Sequence, residues 1–195
     1  VPTGRRPREP HTPLPSSSRH LSGRSAEVGA AVTVTGTDVT VRLLRWWDLA
    51  AVHAIEVRAF PETAWSVETF WSELAGIPAT RYYIVAERAD QIIGYAGLMT
   101  VRSDADVQTI AVAPDARRRG VGALLLDALL DEAGRRGCTR VTLEVAAAGE
   151  KARRLYTGRG FDAIARRTGY YGPGSDAVVM RLRLDSGASV GTARP

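Results

Sequence analysis

The chain has 195 residues, 45% of them apolar and 24% charged, the make-up of one globular domain with its own core and too little for two domains with linkers. The formal net charge of +5 is carried by arginine, Lys151 being the only lysine among 26 basic residues, a bias that does not by itself define a nucleic-acid binder. Cys138 is the only cysteine and excludes an intramolecular disulfide, no His/Cys/acid spacing suits a metal, and no apolar run approaches the roughly 18 residues of a membrane span. The N-terminus is Arg-rich but lacks the apolar segment of a secretory signal, so a reducing, cytoplasmic setting is expected.

Residues 1–38 are rich in Pro, Ser, Gly and Arg without apolar periodicity and are expected to be a disordered tail. The alternative is a basic functional arm. Residues 39–185 should form the domain, and 186–195 a second loose tail. Val39–Leu44 reads as a strand. A helix follows, with Asp48 as its cap and Leu49, Val52, Ile55, Ala59 and Phe60 on its apolar side. Ser66 suits the N-cap of the next helix, with Trp65 stapling to Phe70, and Pro78 closes it. Tyr82–Glu87 and Gln91–Met99 pair across a tight turn at Arg88–Asp90. Val107–Val112 is a strand closed by Pro114. The helix after Gly120 runs to Arg135–Gly137, with Leu124, Leu125, Ala128 and Leu129 in helical period. Val141–Val145 is a strand and Glu150–Arg159 a helix. Phe161–Arg167 and Ala177–Leu184 are strands joined by a Gly-rich turn. The order β-α-α-β-β-β-α-β-α-β-β predicts an α/β (α+β) mixed sheet flanked by helices.

The informative stretch is Thr109 to Ala123, in which a strand enters an Arg/Gly-rich loop that opens directly into an apolar helix. The first helical turn has unpaired N–H groups and the positive end of the macrodipole. Gly120 and Gly122 leave room beside that backbone, and Arg117, Arg118 and Arg119 add charge, which together suit a phosphate group. A basic loop with a glycine-eased helix start fits the same residues. Glu144 lies between Leu143 and Val145, where a carboxylate alternates outward and is ordinarily solvated, a base being the alternative. Tyr156 suits either a proton donor or half-buried packing. Trp65 is a core anchor or an acceptor contact, Glu56 faces an amine or solvent, and Tyr170 and Tyr171 wall an entrance or pack on the surface. Cys138 has no base beside it and reads as structural.

Arg117-Arg118-Arg119-Gly120-Val121-Gly122 resembles the R/Q-x-x-G-x-G/A acetyl-CoA loop of the GNAT superfamily of N-acetyltransferases. The resemblance runs over about 145 residues, from Val39 to Leu184. Within the superfamily it is strongest to the RimI family, which acetylates the N-terminal alanine of a ribosomal protein. Ala59-Phe60-Pro61, Trp65-Ser66 with Thr69-Phe70, Ile110-Ala111-Val112, Leu143-Glu144-Val145, Ala152 to Tyr156, Gly160-Phe161, Tyr170-Tyr171 and Asp176-Ala177 before Met180 carry it. It implies the GNAT acyl-CoA N-acyltransferase fold and acetyl-CoA as donor. It also implies that Ile110, Ala111 and Val112 pair with the pantetheine arm, and that the N–H groups from Arg118 through Gly120, Val121 and Gly122 to Ala123 hold the pyrophosphate. Glu144 matches the general base and Tyr156, twelve residues on, the general acid. Trp65, Glu56, Tyr170 and Tyr171 become candidates for acceptor binding. One position departs: the family has Glu-Val-Arg-x-x-Asn where this chain has Ala146 and Gly149, so the Asn contact to CoA has no counterpart at Gly149.

The chemistry of the acceptor agrees with this resemblance. An α-amine has a pKa of about 7.7–8.0 against about 10.4 for lysine, so deprotonating it at neutral pH costs roughly 3.5 kcal/mol less. A carboxylate acting through water suffices as its base. The expected acceptor is the N-terminal segment of a protein, ribosomal by resemblance. No specific nucleic acid, membrane or metal is expected, and the oligomeric state is open. A GNAT enzyme for lysine or a small amine, and a catalytically weak acyl-CoA-binding or ribosome-associated module, are the alternatives.

Overall fold

The structure, a computed structural model, describes residues 38–184 together with the backbone of two two-residue strands, β1 (Thr3–Gly4) and β2 (Val32–Thr33). The rest of the expected tails lies outside the described residues. β3 (Thr40–Leu43) leads through a single 3-10 turn, Trp46–Asp48, into α1 (Leu49–Ala59). There follow α2 (Val67–Leu74), β4 (Arg81–Arg88), β5 (Gln91–Val101), β6 (Asp104–Val112), α3 (Val121–Arg135), β7 (Arg140–Ala146), α4 (Glu150–Thr157), β8 (Asp162–Arg167) and β9 (Ala177–Arg183).

The strands form one sheet in the order β2-β3-β4-β5-β6-β7-β9-β8, with β1 added on β6. Every pairing is antiparallel except β6 with β7. The exception follows from connectivity, because α3 carries the chain back to the end of the sheet where β6 began. The expected mixed sheet with helices packed on it is therefore present. Leu125, Leu126 and Leu129 of α3 are fully buried, as are Val85, Tyr95 and Leu98 of the strands beneath.

Ser66 accepts a hydrogen bond from the Thr69 N–H and starts α2, and the Trp65 and Phe70 rings lie 5.5 Å apart, as expected of a cap with a staple. Asp48 behaves differently from expectation. It is helical in backbone and caps nothing with its side chain at α1. Its buried carboxylate instead accepts from the Arg42 guanidinium at 2.7 Å and the Arg45 N–H at 2.8 Å. An arginine delivered from β3 outcompetes the local cap because a charge-assisted pair is the stronger bond. α2 ends at Leu74, before Pro78, and a run of turns carries the chain to β4. β6 begins three residues earlier than its apolar pattern suggests, at Asp104, whose carboxylate binds Arg140 of β7 at 2.7 Å.

The feature that positions the site is an incomplete pairing. β6 meets β7 only from Asp104 to Asp106, opposite Arg140 to Thr142. Beyond that β7 stays paired with β9 along its whole length, while β6 stays with β5. A register shift between Gly97 and Leu98 leaves Gln108 of β6 without an opposite residue, and such bulges bend a strand and raise its twist. The two parallel strands therefore part from Val107 onward.

Candidate active site

At the open end of β6, backbone geometry builds a bed for an anion. After Val112 the chain makes a 3-10 turn, Pro114–Ala116, and Arg117 folds back so that its Nε donates to the Val112 carbonyl at 3.0 Å. Arg118 and Gly120 both have left-handed backbones, with φ of 65° and 81°. Glycine suits the second position, where any other side chain is strained. This reversal aims the start of α3 back along β6. No side chain caps α3, so the N–H groups of its first turn stay open beside three exposed arginines.

Below that turn lies a cavity of about 130 Å³ lined by Ile110, Ala111, Val112, Gly122, Leu155 and Tyr156, with Ala59, Phe60, Arg117 and Ala152 completing it. A Cβ at Gly122 would stand 3.7 Å from Leu155 and 3.8 Å from Val112. A small substituent is thus accepted, and a longer one would run into the space between α3 and α4. An acyl-CoA fits these residues: open N–H groups and arginines for its pyrophosphate, a strand edge for its amide-bearing arm, and a mostly apolar slot for the thioester. Tyr156 is 1% exposed and packs edge-on against Phe161 at 5.9 Å. Gly149 sits at the N-cap of α4 with no side chain to offer, so the Asn contact of the family is absent there.

Glu144 projects from β7, flanked by fully buried Leu143 and Val145. It is not a solvated carboxylate, being 5% exposed with Arg167 of β8 at 3.5 Å from Oε1. The β8–β9 hairpin reaches over it: the Tyr171 hydroxyl donates to the Glu144 carbonyl at 3.4 Å, and Tyr170 stands edge-on to Tyr171 at 4.9 Å under the Arg167 guanidinium. Asp176 holds that hairpin by accepting from Arg166 and from the Gly169 N–H.

The remaining two candidates are turned inward. Glu56 is 1% exposed and accepts from the Trp65 N–H at 2.9 Å and from the Tyr95 hydroxyl, which also meets Thr109 of β6 at 3.3 Å. Burial raises its carboxyl above the usual carboxylate range, and the two donors only partly offset this. Trp65 is 6% exposed and continues the stack through Phe70 to Tyr95. These residues tie the α1–α2 connection to the floor of β6. Tyr95, Thr109 and Arg167 belong to this architecture and were not singled out in the sequence. Their strand alternation gave no sign of partners remote in sequence. Among the described residues no group of His, Cys, Asp and Glu is placed to hold a metal, and no helix is long and apolar enough to cross a membrane.

A strand-loop-helix anion bed beside two parting parallel strands defines an acyl-CoA transferase, and residues 49–161 match the acetyltransferase (GNAT) family. The chain belongs to that family and is an N-acetyltransferase with acetyl-CoA as its acetyl donor. It is 37% identical over 151 residues to the [ribosomal protein bS18]-alanine N-acetyltransferase of Salmonella typhimurium, covering 74% of this chain and 97% of that one. It is 34% identical over 162 residues to the N-alpha-acetyltransferase RimI of Mycobacterium tuberculosis, covering 80% and 98%. The crystal structure of the ribosomal-protein-S18-alanine N-acetyltransferase from Escherichia coli superposes with a TM-score of 0.70 at 30% identity, over 80% of this chain and 99% of that one.

Proposed function

We propose that the chain acetylates the N-terminal α-amine of a protein, its acceptor being the N-terminal alanine of a small-subunit ribosomal protein met in the cytoplasm. The observation that carries this reading is the parting of β6 from β7, which leaves a slot with Tyr156 in its cavity and Glu144 on the strand across the opening. The names of the Salmonella and Escherichia relatives, which this chain spans almost end to end, support the acceptor.

In this reading the acceptor enters under Tyr170 and Tyr171 and the donor lies along Ile110–Val112. Glu144, through a water, takes the proton of the amine as its nitrogen attacks the thioester carbonyl. A backbone N–H at the end of β6 receives the negative charge on the carbonyl oxygen. The C–S bond breaks, and the Tyr156 hydroxyl gives its proton to the departing thiolate. Arg117, Arg118 and Arg119 with the first turn of α3 hold the pyrophosphate. Trp65 and Glu56 keep the α1–α2 connection against β6.

A pH–rate profile with an Ala-initiated peptide tests the two roles. Glu144→Gln should lower kcat by about 10²–10⁴, with the loss shrinking as pH rises and the amine deprotonates unaided. The Tyr156→Phe defect should persist at high pH, because the thiolate still needs its proton. Acetyl-CoA affinity should be unchanged in both, since the two groups act on charge that develops during transfer. Near wild-type kcat in both folded variants would assign these residues to the scaffold.

A further inference from the structure

The hairpin that reaches over Glu144 brings a positive charge to it. Neighbouring strand residues face opposite ways: on β8, Arg166 binds Asp176 at 2.8 Å, and Arg167 turns to β7. The Arg167 Nη2 lies 3.5 Å from Glu144 Oε1, and its guanidinium lies 5.5 Å from the centre of the Tyr170 ring. The carboxylate side chain is 5% exposed and the arginine 44%. This closest approach is longer than that of Arg166 to Asp176, so the pair acts by charge rather than by a fork of hydrogen bonds. Val179 of β9 lies opposite Glu144, the Tyr171 hydroxyl meets the Glu144 backbone carbonyl, and Asp106 of β6 stands opposite Thr142, one step along the same face of β7. None of these three is a cation. Burial disfavours an ionised carboxylate, and a cation within about 4–6 Å favours it. A carboxylate accepts a proton as a base only while ionised.

We propose that Arg167 is a positioning residue for the transfer: from its seat on Tyr170, its charge keeps Glu144 an ionised base beside the opening. This rests on the reading of Glu144 as the base and adds the group that sustains it. The same guanidinium touches Tyr170 and Glu144, so the hairpin both walls the acceptor entrance and conditions the base. A point charge suffices for this work, because no bidentate contact has to be kept. A lysine ammonium on its flexible stem can therefore stand in for the guanidinium.

Steady-state kinetics with an Ala-initiated peptide test this on Arg167→Met, Arg167→Lys, Glu144→Gln and the double variant of Arg167→Met with Glu144→Gln, each confirmed as folded by a thermal melt. Methionine keeps an apolar stem against the Tyr170 ring and removes the charge; lysine keeps the charge. Arg167→Met should lower kcat about tenfold, a part of the 10²–10⁴ that a general base contributes. The acceptor KM and the acetyl-CoA affinity should stay within about twofold of wild type. Arg167→Lys should restore kcat to within about threefold of wild type. In the Glu144→Gln background no carboxylate needs the charge, so Arg167→Met should change kcat by less than about twofold, and the two substitutions should be non-additive. Equal losses from Arg167→Met in both backgrounds, a loss confined to the acceptor KM, or an Arg167→Lys variant as slow as Arg167→Met overturns the proposal. Wild-type kcat in Arg167→Met while Glu144→Gln is slow also overturns it, and leaves the base reading standing. Near wild-type kcat in Glu144→Gln overturns the base reading and this proposal with it.

Discussion

Glu56 sits among an aromatic stack with neutral donors on both oxygens, and that environment decides what it does. Burial raises its carboxyl, so the native state keeps a proton that the unfolded chain has already lost. Stability from this group therefore falls as pH rises from the ordinary carboxylate range through the raised native value. Glu56→Gln keeps an acceptor for the Trp65 N–H and removes the titration. Thermal melts of the variant should depend less on pH above the ordinary carboxylate range, with kcat within about twofold of wild type. A kcat loss approaching the 10²-fold of a missing base would move Glu56 into the chemistry. The burial of Glu144 and Tyr156 beside the opening was not legible from the residues alone; only the family resemblance marked the two positions. Nor was the inward turn of Glu56 legible, because its partner Tyr95 lies 39 residues away and a single glutamate in a helix period shows nothing of what it meets. Asp48 follows the same rule: its sequence neighbours suggest a cap, while Arg42 reaches it from another element.

Among the elements, the proposed function sets the start of α3 on the donor and the β8–β9 hairpin on the acceptor, and mutation can separate the two. Gly122→Glu places a carboxylate and its stem between α3 and α4, where Leu155 and Val112 stand 3.7 and 3.8 Å from the new Cβ. Calorimetry should show acetyl-CoA affinity lost by about tenfold or more, the size of one misplaced charge; unchanged affinity in a folded variant would remove the pyrophosphate from this turn. Asp176→Ala frees the hairpin from Arg166 and the Gly169 N–H. It should raise the acceptor KM severalfold while acetyl-CoA affinity holds. Because those two bonds depress the Asp176 carboxyl, the wild type should come to resemble the variant as pH falls through that lowered value. A shift in donor affinity instead would mean that the hairpin does not belong to the acceptor side. The anion loop was readable because glycines, arginines and an uncapped apolar helix are local signals. The parting of β6 from β7 was not, since Asp104–Asp106 and Val107–Val112 are equally extended and only pairing tells them apart.

On the scale of the whole molecule, one parallel pair in an otherwise antiparallel sheet divides the work. In the proposed function, donor binding belongs to the turn and helices on one flank of the opening, and acceptor binding to the hairpin and the carboxylates on the other. The order of strands and helices was legible from hydrophobic period and turn residues. Pieces of the expected tail, Thr3–Gly4 and Val32–Thr33, join the sheet; the second lies in a Val-Thr-Val-Thr alternation that suits a strand, and open edges accept backbone. The central claim is that the acceptor is an N-terminal α-amine. It is tested most directly by giving the chain acetyl-CoA at neutral pH with two peptides in equal amount and following both products by mass spectrometry. One peptide begins with a free alanine and lacks lysine; the other has a blocked N-terminus and one lysine. The account predicts acetylation of the first more than about 100-fold faster, in line with the difference in amine pKa. Acetylation of the lysine peptide at an equal or greater rate would contradict it.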